Sequence, residues 1–558
     1  MNFKKINYSV DEMNELFSKV EKLEEGNDGT VDTTGLATEE FVNNKADEIM
    51  NEVEANYPTQ KDMEEYVQVK IGEIPKNEDG GKIVTTINVL EQGCVADGVT
   101  DNLSKLKEIF RAVANDTVIY FPAGDYMIGN GDETQTLLTL SGLDNVKITG
   151  DKEGISKLIL HENTPVGINY GILELKQCTN CTIKNLELDG NVQARYLAHG
   201  SLWNDLATDY NKMSNIEIQS GENILIENIN SHHPAMDCIF IGRHAGGDTP
   251  NGKNIIIRNC ILEYGYRQGI SIVGWDNGLI QDCIIGETGL AANPKETLEE
   301  GDPVTLGTSP MAGIDSETWS TNYDWVIEKC IFNNNYLDIN DGSIRFNIRD
   351  NIFNNSNFYS STPSAGARTF DIYVKNNFFK DSVVDIYNKG FVFEENTFRI
   401  KSGTNHQFKF VHDPTNIWYA DGAGTIEFRN NIVTIIEGDD GNIVPRTNIC
   451  FAYFSGEMVM DNNVFINCFF NTFNNSDGTF GIFKNNVFKM NVSGKYNLNN
   501  AKQLIQGNHF VGDFFYIGNE NVKVSSDPSV GVMGFDEKSG KPIWWNGKAW
   551  VDATGTAI

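Results

Sequence analysis

From about residue 83 onward, short β-branched and aromatic runs alternate with polar residues and are cut by Asn, Asp and Gly turns. A period of two sends successive side chains to opposite faces, so these runs predict strands. The strands repeat. An alternating run ends in a polar pair and two apolar residues at Ile257–Ile261, Ile280–Ile284 and Ile327–Ile331, with Cys260, Cys283 and Cys330 in the fourth place. Asn holds that place farther along, at Asn351, Asn377, Asn396, Asn431, Asn463, Asn486 and Asn508. Two residues after each Asn stands a large apolar side chain: Phe353, Phe379, Phe398, Val433, Phe465, Phe488 and Phe510. Several gaps are 19 to 26 residues. A unit that short cannot enclose a core, so copies must stack, and strand-turn-strand units of about 20 to 25 residues stack as a parallel β-helix. Each Asn is then expected to take a left-handed backbone conformation and bond to the coils above and below, while the Phe row fills the interior. Helical spacing here is confined to about Leu103–Ala114, too little helix for an α/β barrel, and the regular hairpins of a propeller are absent.

Residues 1–80 have another texture, rich in Glu, Asn and Lys, with Met13, Leu16, Val20 and Leu23 at helical spacing. Glu39, Glu40, Phe41, Val42, Lys45, Glu48 and Ile49 recur 25 residues later as Glu64, Glu65, Tyr66, Val67, Lys70, Glu73 and Ile74, each set following a Thr suited to a helix cap, Thr38 and Thr59. Short helices with one apolar stripe are not stable alone, so this segment is expected to be a helical stalk that trimerises or docks. The expected division is a stalk at 1–80, a β-helix at 81–525 and a small Trp-rich module at 526–558.

Composition narrows the partners. The 558 residues are 40% apolar and 22% charged, with a net charge of −33, which repels nucleic acid and anionic lipid surfaces. No run approaches the roughly 20 apolar residues of a membrane span, and no apolar signal region follows Met1–Lys5. Nine cysteines, including one C-x-x-C at Cys178 and Cys181, are expected to be packed thiols of a protein folded in a reducing compartment.

The segment Gly93-Cys94-Val95-Ala96-Asp97-Gly98-Val99-Thr100-Asp101-Asn102, with Phe121-Pro122-Ala123-Gly124-Asp125-Tyr126 downstream, resembles the opening coil of pectate-lyase-like β-helix proteins of the tailspike kind. That resemblance implies a right-handed parallel β-helix whose open end is capped by the helix near Leu103–Ala114. The repeat in the stalk is similar to helical segments near the amino ends of bacteriophage tail proteins, and Gly540–Gly555 is similar to a module common at the ends of phage fibres and spikes. Together these imply a homotrimeric phage tailspike or receptor-binding protein. It would be made in the host cytoplasm without a signal peptide, carried on the virion and joined to other tail or baseplate proteins through the stalk. Three copies of −33 give −99 formal charges, so divalent cations such as Ca2+ are the ligands expected at clustered carboxylates, although no motif specifies them.

Three runs can be laid over one another: Asp237–Gly242, Gln268–Val273 and Ala312–Glu317. Ile239, Ile270 and Ile314 then face inward, and Asp315 and Glu317 face outward beside the small residues Gly269, Ser271 and Gly313. Two residues apart on a strand, these carboxylates have Cα atoms about 7 Å apart, within reach of either glycosidase geometry. The runs Tyr266–Ile272 and Pro310–Glu317 also resemble a paired Arg-Gln-Gly-Ile-Ser and Gly-Ile-Asp-x-Glu motif of phage and bacterial β-helix proteins, which implies a functional surface at Arg267, Gln268, Asp315 and Glu317; Thr318 stands where that motif has Pro. The expected chemistry is hydrolysis, one carboxyl protonating the leaving oxygen and the other activating water or attacking the sugar. Arg267 would orient an acidic sugar or phosphate. His232, His233 and Asp237 would extend the site, Trp275 and Trp319 would stack on sugars, and the insertion from Thr288 to Met311 would wall the groove. Trp544, Trp545 and Trp550 are expected in packing at the carboxyl end.

The expected ligand is therefore a bacterial surface polysaccharide, cleaved during adsorption. Two readings share the fold: a spike that only binds glycan or teichoic acid, and a polysaccharide lyase in which His233 and Arg267 serve as base and uronate partner. Phosphodiester cleavage of teichoic acid is a further variant if the carboxylates hold a metal.

Overall fold

The computed structural model describes residues 85–130, 135–165, 169–199, 213–243, 251–289, 311–317, 322–341, 344–355, 357–360, 372–386, 391–401, 408–411, 426–436, 448–452, 457–472, 480–490, 502–506, 509–512, 533–536, 541–545 and 550–552. The expected stalk at 1–80 lies outside them.

Three ladders of parallel strands run through these residues. The first begins with Thr85–Asn88, Thr117–Tyr120 and Lys147–Thr149, and the second with Asp97–Asp101, Gly124–Ile128 and Ser156–Leu160. The third begins with Leu138–Ser141, Leu173–Lys176 and Ile216–Gln219. The first two join in a 28-stranded sheet because Thr182–Asp189 and Glu222–His232 run through both; the third is a 12-stranded sheet. Strands pair with the equivalent strand one coil away, which makes this a parallel β-helix. Toward the carboxyl end, Met533–Asp536, Lys541–Trp545 and Trp550–Asp552 form a separate antiparallel sheet.

The opening coil is built by the residues that mark it. Asp97 Oδ1 accepts the N–H groups of Val99 and Thr100, while Gly98 supplies the positive φ (72°) of that turn. Asn102 exchanges two bonds with Val95, accepting its N–H at Oδ1 and donating from Nδ2 to its carbonyl. The helix Leu103–Ala112 follows, with Leu103, Leu106, Ile109 and Phe110 buried. It stops short of Ala114 because Val113 is already extended.

Register is set at the bend between the first and second ladders. Phe332, Phe353, Phe379 and Phe398 occupy equivalent positions on successive coils, and their rings stack with centroids 4.7, 4.6 and 4.4 Å apart. Val433 and Phe465 continue the row. Beside it, Asn351, Asn377, Asn396, Asn431, Asn463 and Asn486 are buried in one hydrogen-bonded chain. Asn396 is representative. Its Oδ1 accepts the backbone N–H of Asn377 at 2.9 Å and the Nδ2–H of Asn377 at 3.0 Å. Its own Nδ2 donates to the Val374 carbonyl at 2.8 Å and to Asn431 Oδ1 at 3.0 Å.

The expected left-handed conformation is not at these asparagines. It belongs to the residue before each: Asp350, Asn376, Glu395, Asn430, Asn462 and Asn485, with φ between 55° and 59° apart from Asn376 at 54°. A left-handed residue makes the sharp bend, and the bend turns the following side chain inward, where its amide meets the open backbone groups of the neighbouring coils. In earlier coils Cys260, Cys283 and Cys330 fill the same place, donating weakly to carbonyls of the coil before, and Cys330 hands over to the Asn series through its N–H to Asn351 Oδ1. The eight cysteines with described side chains are all buried free thiols. A second, exposed Asn series does adopt the left-handed conformation: Asn180, Asn223, Asn254 and Asn277 link amide to amide at 2.7 to 3.0 Å.

Removing a buried amide strands its partners at about 1–3 kcal/mol each. Asn396→Ala is therefore expected to lower unfolding free energy by about 3 kcal/mol, and Asn254→Ala, whose partners can turn to water, by under about 1 kcal/mol. Chemical denaturation of the two variants checks the contrast; equal losses would show that the buried chain is not what ties the coils.

Candidate active site

Three consecutive strands of the third ladder, Asp237–Gly242, Gln268–Val273 and Ala312–Ser316, stack in the register expected from their sequences: Asp237 beside Gln268, and Ile239, Ile270 and Ile314 in one column. The neighbouring column runs Phe240, Ser271, Asp315. The coils are close here. A Cβ on Gly269 would lie 2.6 Å from the Gly313 carbonyl oxygen, and one on Gly313 would lie 2.8 Å from that of Asp338, so only glycine fits both positions.

Arg267 is the centre of the cluster. Its Nε and Nη2 each donate to the Asp237 carboxylate at 3.1 Å, and Nη2 also lies 3.3 Å from Gln268 Oε1, 3.3 Å from Ser271 Oγ and 3.5 Å from Glu317 Oε1. Gln268 Nε2 donates to Asp315 Oδ2. Fork geometry at Asp237 explains why an arginine stands here. Asp237 and Gln268 are fully buried and Asp315 is 2% exposed, whereas the Arg267 and Glu317 side chains are 17% and 24% exposed. Burial pushes the Asp237 carboxyl above its ordinary range, opposed by Arg267. For Arg267, burial works against the charge, but Asp237, Glu317 and Asp315 outweigh it and raise its pKa further. The surface thus shows one cation and one carboxylate above a buried polar floor.

Asn322 is a further residue of this site that the repeat did not reveal. Its Oδ1 accepts the N–H groups of Gly274 and Trp275, and its Nδ2 donates to the Ile272 carbonyl and to Ser316 Oγ, bracing the end of the strand just before Glu317. It stands outside the repeating pattern, so periodicity gave no signal for it.

Three expectations change. Asp315, expected on the outer face, is almost wholly buried, with Gln268 of the neighbouring coil against its carboxylate. Trp275 is fully buried, with its ring where a Cβ on Gly252 would fall, so it is core and offers no face to a sugar. His233 is not among the Arg267 contacts; it belongs to a second cluster at the corner before Asp237. There His232 and His233 approach through their Nδ1 atoms at 2.8 Å, His233 stacks on Tyr264 at 4.7 Å, and His232 Nε2 lies 3.4 Å from Glu187 Oε1. Lys157 bridges Glu187 and Asp189 at 2.9 and 3.1 Å. The His232 contact, together with Lys157, holds the Glu187 carboxyl down at about 2 against the effect of burial. Trp319, residues 290–310 of the expected groove wall and the Trp544, Trp545 and Trp550 side chains lie outside the described residues.

Parts of the chain are similar to known proteins. Residues 86–293 match the family model of the rhamnogalacturonase A/epimerase, pectate lyase-like type. The fold is a pectate-lyase-like parallel β-helix, as the motifs of the opening coil imply. The matched residues end before Asp315 and Glu317. The chain is 24% identical over 264 residues to the uncharacterized protein YclG of Bacillus subtilis strain 168, covering 45% of this chain and 41% of that one. It is 28% identical over 174 residues to the SPbeta prophage-derived uncharacterized protein YorA of the same strain, covering 29% of this chain and 26% of that one. The chain thus spans less than half the length of either relative. Among solved structures it is similar to the pre-mature bacteriophage phi29 gene product 12, at 12% identity and a TM-score of 0.41, over 80% of this chain and 76% of that one.

Removing Arg267 would leave Asp237 as an unpaired buried carboxylate. Arg267→Met is expected to cost about 3–5 kcal/mol of stability. Adding Asp237→Leu should recover much of that loss, measured by denaturant unfolding as a double-mutant cycle. Additive losses would show that the pair is not coupled.

Proposed function

We propose that this chain is a bacteriophage tailspike that binds and hydrolyses a bacterial surface polysaccharide. The observation that carries the reading is the meeting of Asp237, Arg267, Gln268, Ser271, Asp315 and Glu317 on three stacked coils of one ladder. An outward track parallel to the coil axis suits an extended polymer. The pectate-lyase-like opening coil and a relative named as prophage-derived support the same assignment.

In this mechanism Glu317, the more exposed carboxyl and the one beside the guanidinium, activates water or attacks the anomeric carbon. Asp315, on the floor of the track, protonates the leaving oxygen. Different environments divide the two roles. Arg267 meets an anionic group of the glycan, with Asp237 and Gln268 fixing its orientation. The burial of Asp315 favours a second reading, receptor binding without cleavage, because a proton donor must touch the glycosidic oxygen.

Incubation of purified protein with host envelope polysaccharide, followed by mass spectrometry of the released ends, separates the readings. New reducing ends without an unsaturated uronate are expected, and Asp315→Asn or Glu317→Gln should cut their release at least about 100-fold while glycan binding persists. Unsaturated ends would make the protein a lyase, intact polymer with tight binding would make it a receptor-binding spike, and full activity in both variants would remove these carboxylates from the chemistry.

A further inference from the structure

The corner between the second and third ladders carries a constellation that the proposed glycan chemistry leaves unused. His232 ends the strand Glu222–His232, and His233 follows with φ at 50°, in the left-handed region. On an extended strand consecutive side chains face opposite ways, so two adjacent histidines would diverge. The left-handed residue removes that divergence and brings their Nδ1 atoms to 2.8 Å, with the rings nearly perpendicular at 88°. A non-glycine residue holds this conformation only where its surroundings enforce it, and the stacking of His233 on Tyr264, 9° from parallel, is one such restraint.

A carboxylate completes the set. Asp189 lies directly beside His232 in the register of the preceding coil, and its Oδ1 is 3.5 Å from His232 Nδ1. One ligand atom from each of Asp189, His232 and His233 falls within 4.8 Å of the other two. Four-coordinate zinc, with bonds of about 2.0–2.2 Å to nitrogen and oxygen, needs donor atoms roughly 3–3.5 Å apart, so small adjustments would suffice.

The surroundings fit a metal as well as the ligands do. Glu187 addresses the far nitrogen of His232 at 3.4 Å, the carboxylate-histidine arrangement that orients a metal-bound imidazole. Lys157 occupies Asp189 Oδ2, while Oδ1 accepts the Asn191 N–H at 2.9 Å and turns its remaining lone pair toward His232. Carboxylates flank His232 on both sides, Glu187 and Asp189 before it and Glu263 on the coil after, against the single lysine Lys157, and this acidic surround suits a dication. His232 and Asp189 are only partly buried, at 16% and 17% side-chain exposure, so an ion and a water can reach them.

We propose that Asp189, His232 and His233 bind a first-row transition dication of the zinc class, with the fourth position open to water. Two imidazoles and one carboxylate select such an ion over Ca2+ or Mg2+, which take oxygen ligands. Without metal, one Nδ1 of the pair donates to the other; binding moves that proton to Nε2 of the same ring, so both imidazoles stay neutral and present Nδ1 to the ion. Four residues beyond His233 stands Asp237, so the bound ion pins the corner that leads into the Arg267 cluster. The proposal is independent of the glycan chemistry above.

The test is equilibrium dialysis of the full, tag-free chain, first stripped with EDTA, against micromolar ZnCl2, with bound metal counted by mass spectrometry. One zinc per chain is expected in the wild type and less than a tenth of that in His232→Ala/His233→Ala and in Asp189→Asn. Glu187→Gln keeps all three ligands and is expected to weaken affinity about 10- to 100-fold. Circular dichroism melts identify any variant that fails to fold, and Glu187→Gln then carries the test. No stoichiometric zinc in the wild type, or equal retention by the folded variants, would overturn the site.

Discussion

A parallel coil satisfies its strands through its neighbours, but at each bend the backbone leaves the ladder and its N–H and C=O groups need partners. The buried amides from Asn351 to Asn486 supply them, each taking a backbone N–H from the coil before and giving a hydrogen to a carbonyl there. Because the same side chain also bonds to its equivalent one coil on, slipping one coil would break bonds on both sides. The Phe row beside it adds interlocking shape, which a slip would also disturb. Local backbone cost is accepted for this: a left-handed residue precedes each amide, even where it is Glu395. From Cys330 to Asn486 this chain fixes how one coil sits on the next.

Fixed register is what turns distant residues into sites. Asp237 and Arg267 are 30 residues apart and Arg267 and Glu317 are 50 apart, yet each pair meets because their strands occupy the same ladder. At the corner, Asp189 and His232 meet across one coil for the same reason. Both clusters confront the same difficulty, carboxylates withdrawn from water, and each answers with a cation. A planar guanidinium fits the fully buried Asp237, while a lysine suffices for the part-exposed Glu187 and Asp189.

The earlier coils use Cys where the later ones use Asn, and this marks a chemical difference along one bend. A thiol is a weak donor with an apolar body, so Cys260 and Cys283 pack the bend more than they bond it. The amide series starts where Cys330 meets Asn351 and continues through the coils rich in stacked Phe. Burial pushes the Cys468 thiol up, which keeps it an inert packing group.

What the amino-acid order by itself determined was the repeat: alternation gave the strands, the spacing of Cys, Asn and Phe gave the stacking, and overlaying three runs gave the column of Ile239, Ile270 and Ile314. These are local periodicities, and a solenoid repeats local contacts from coil to coil, so they survive into the fold unchanged. Depth was not legible. Alternation assigns Asp315 to the outer face but cannot tell that only 2% of it meets solvent, nor that Trp275 fills the space over Gly252. Spacing points to the amide itself as the left-handed residue, whereas the bend lies one position earlier; the two are adjacent and only the backbone torsions separate them. Asn322 and the grouping of Asp189 with His232 and His233 were decided by tertiary structure alone, since each depends on side chains from different coils arriving at one corner, a distance that no spacing along the chain encodes.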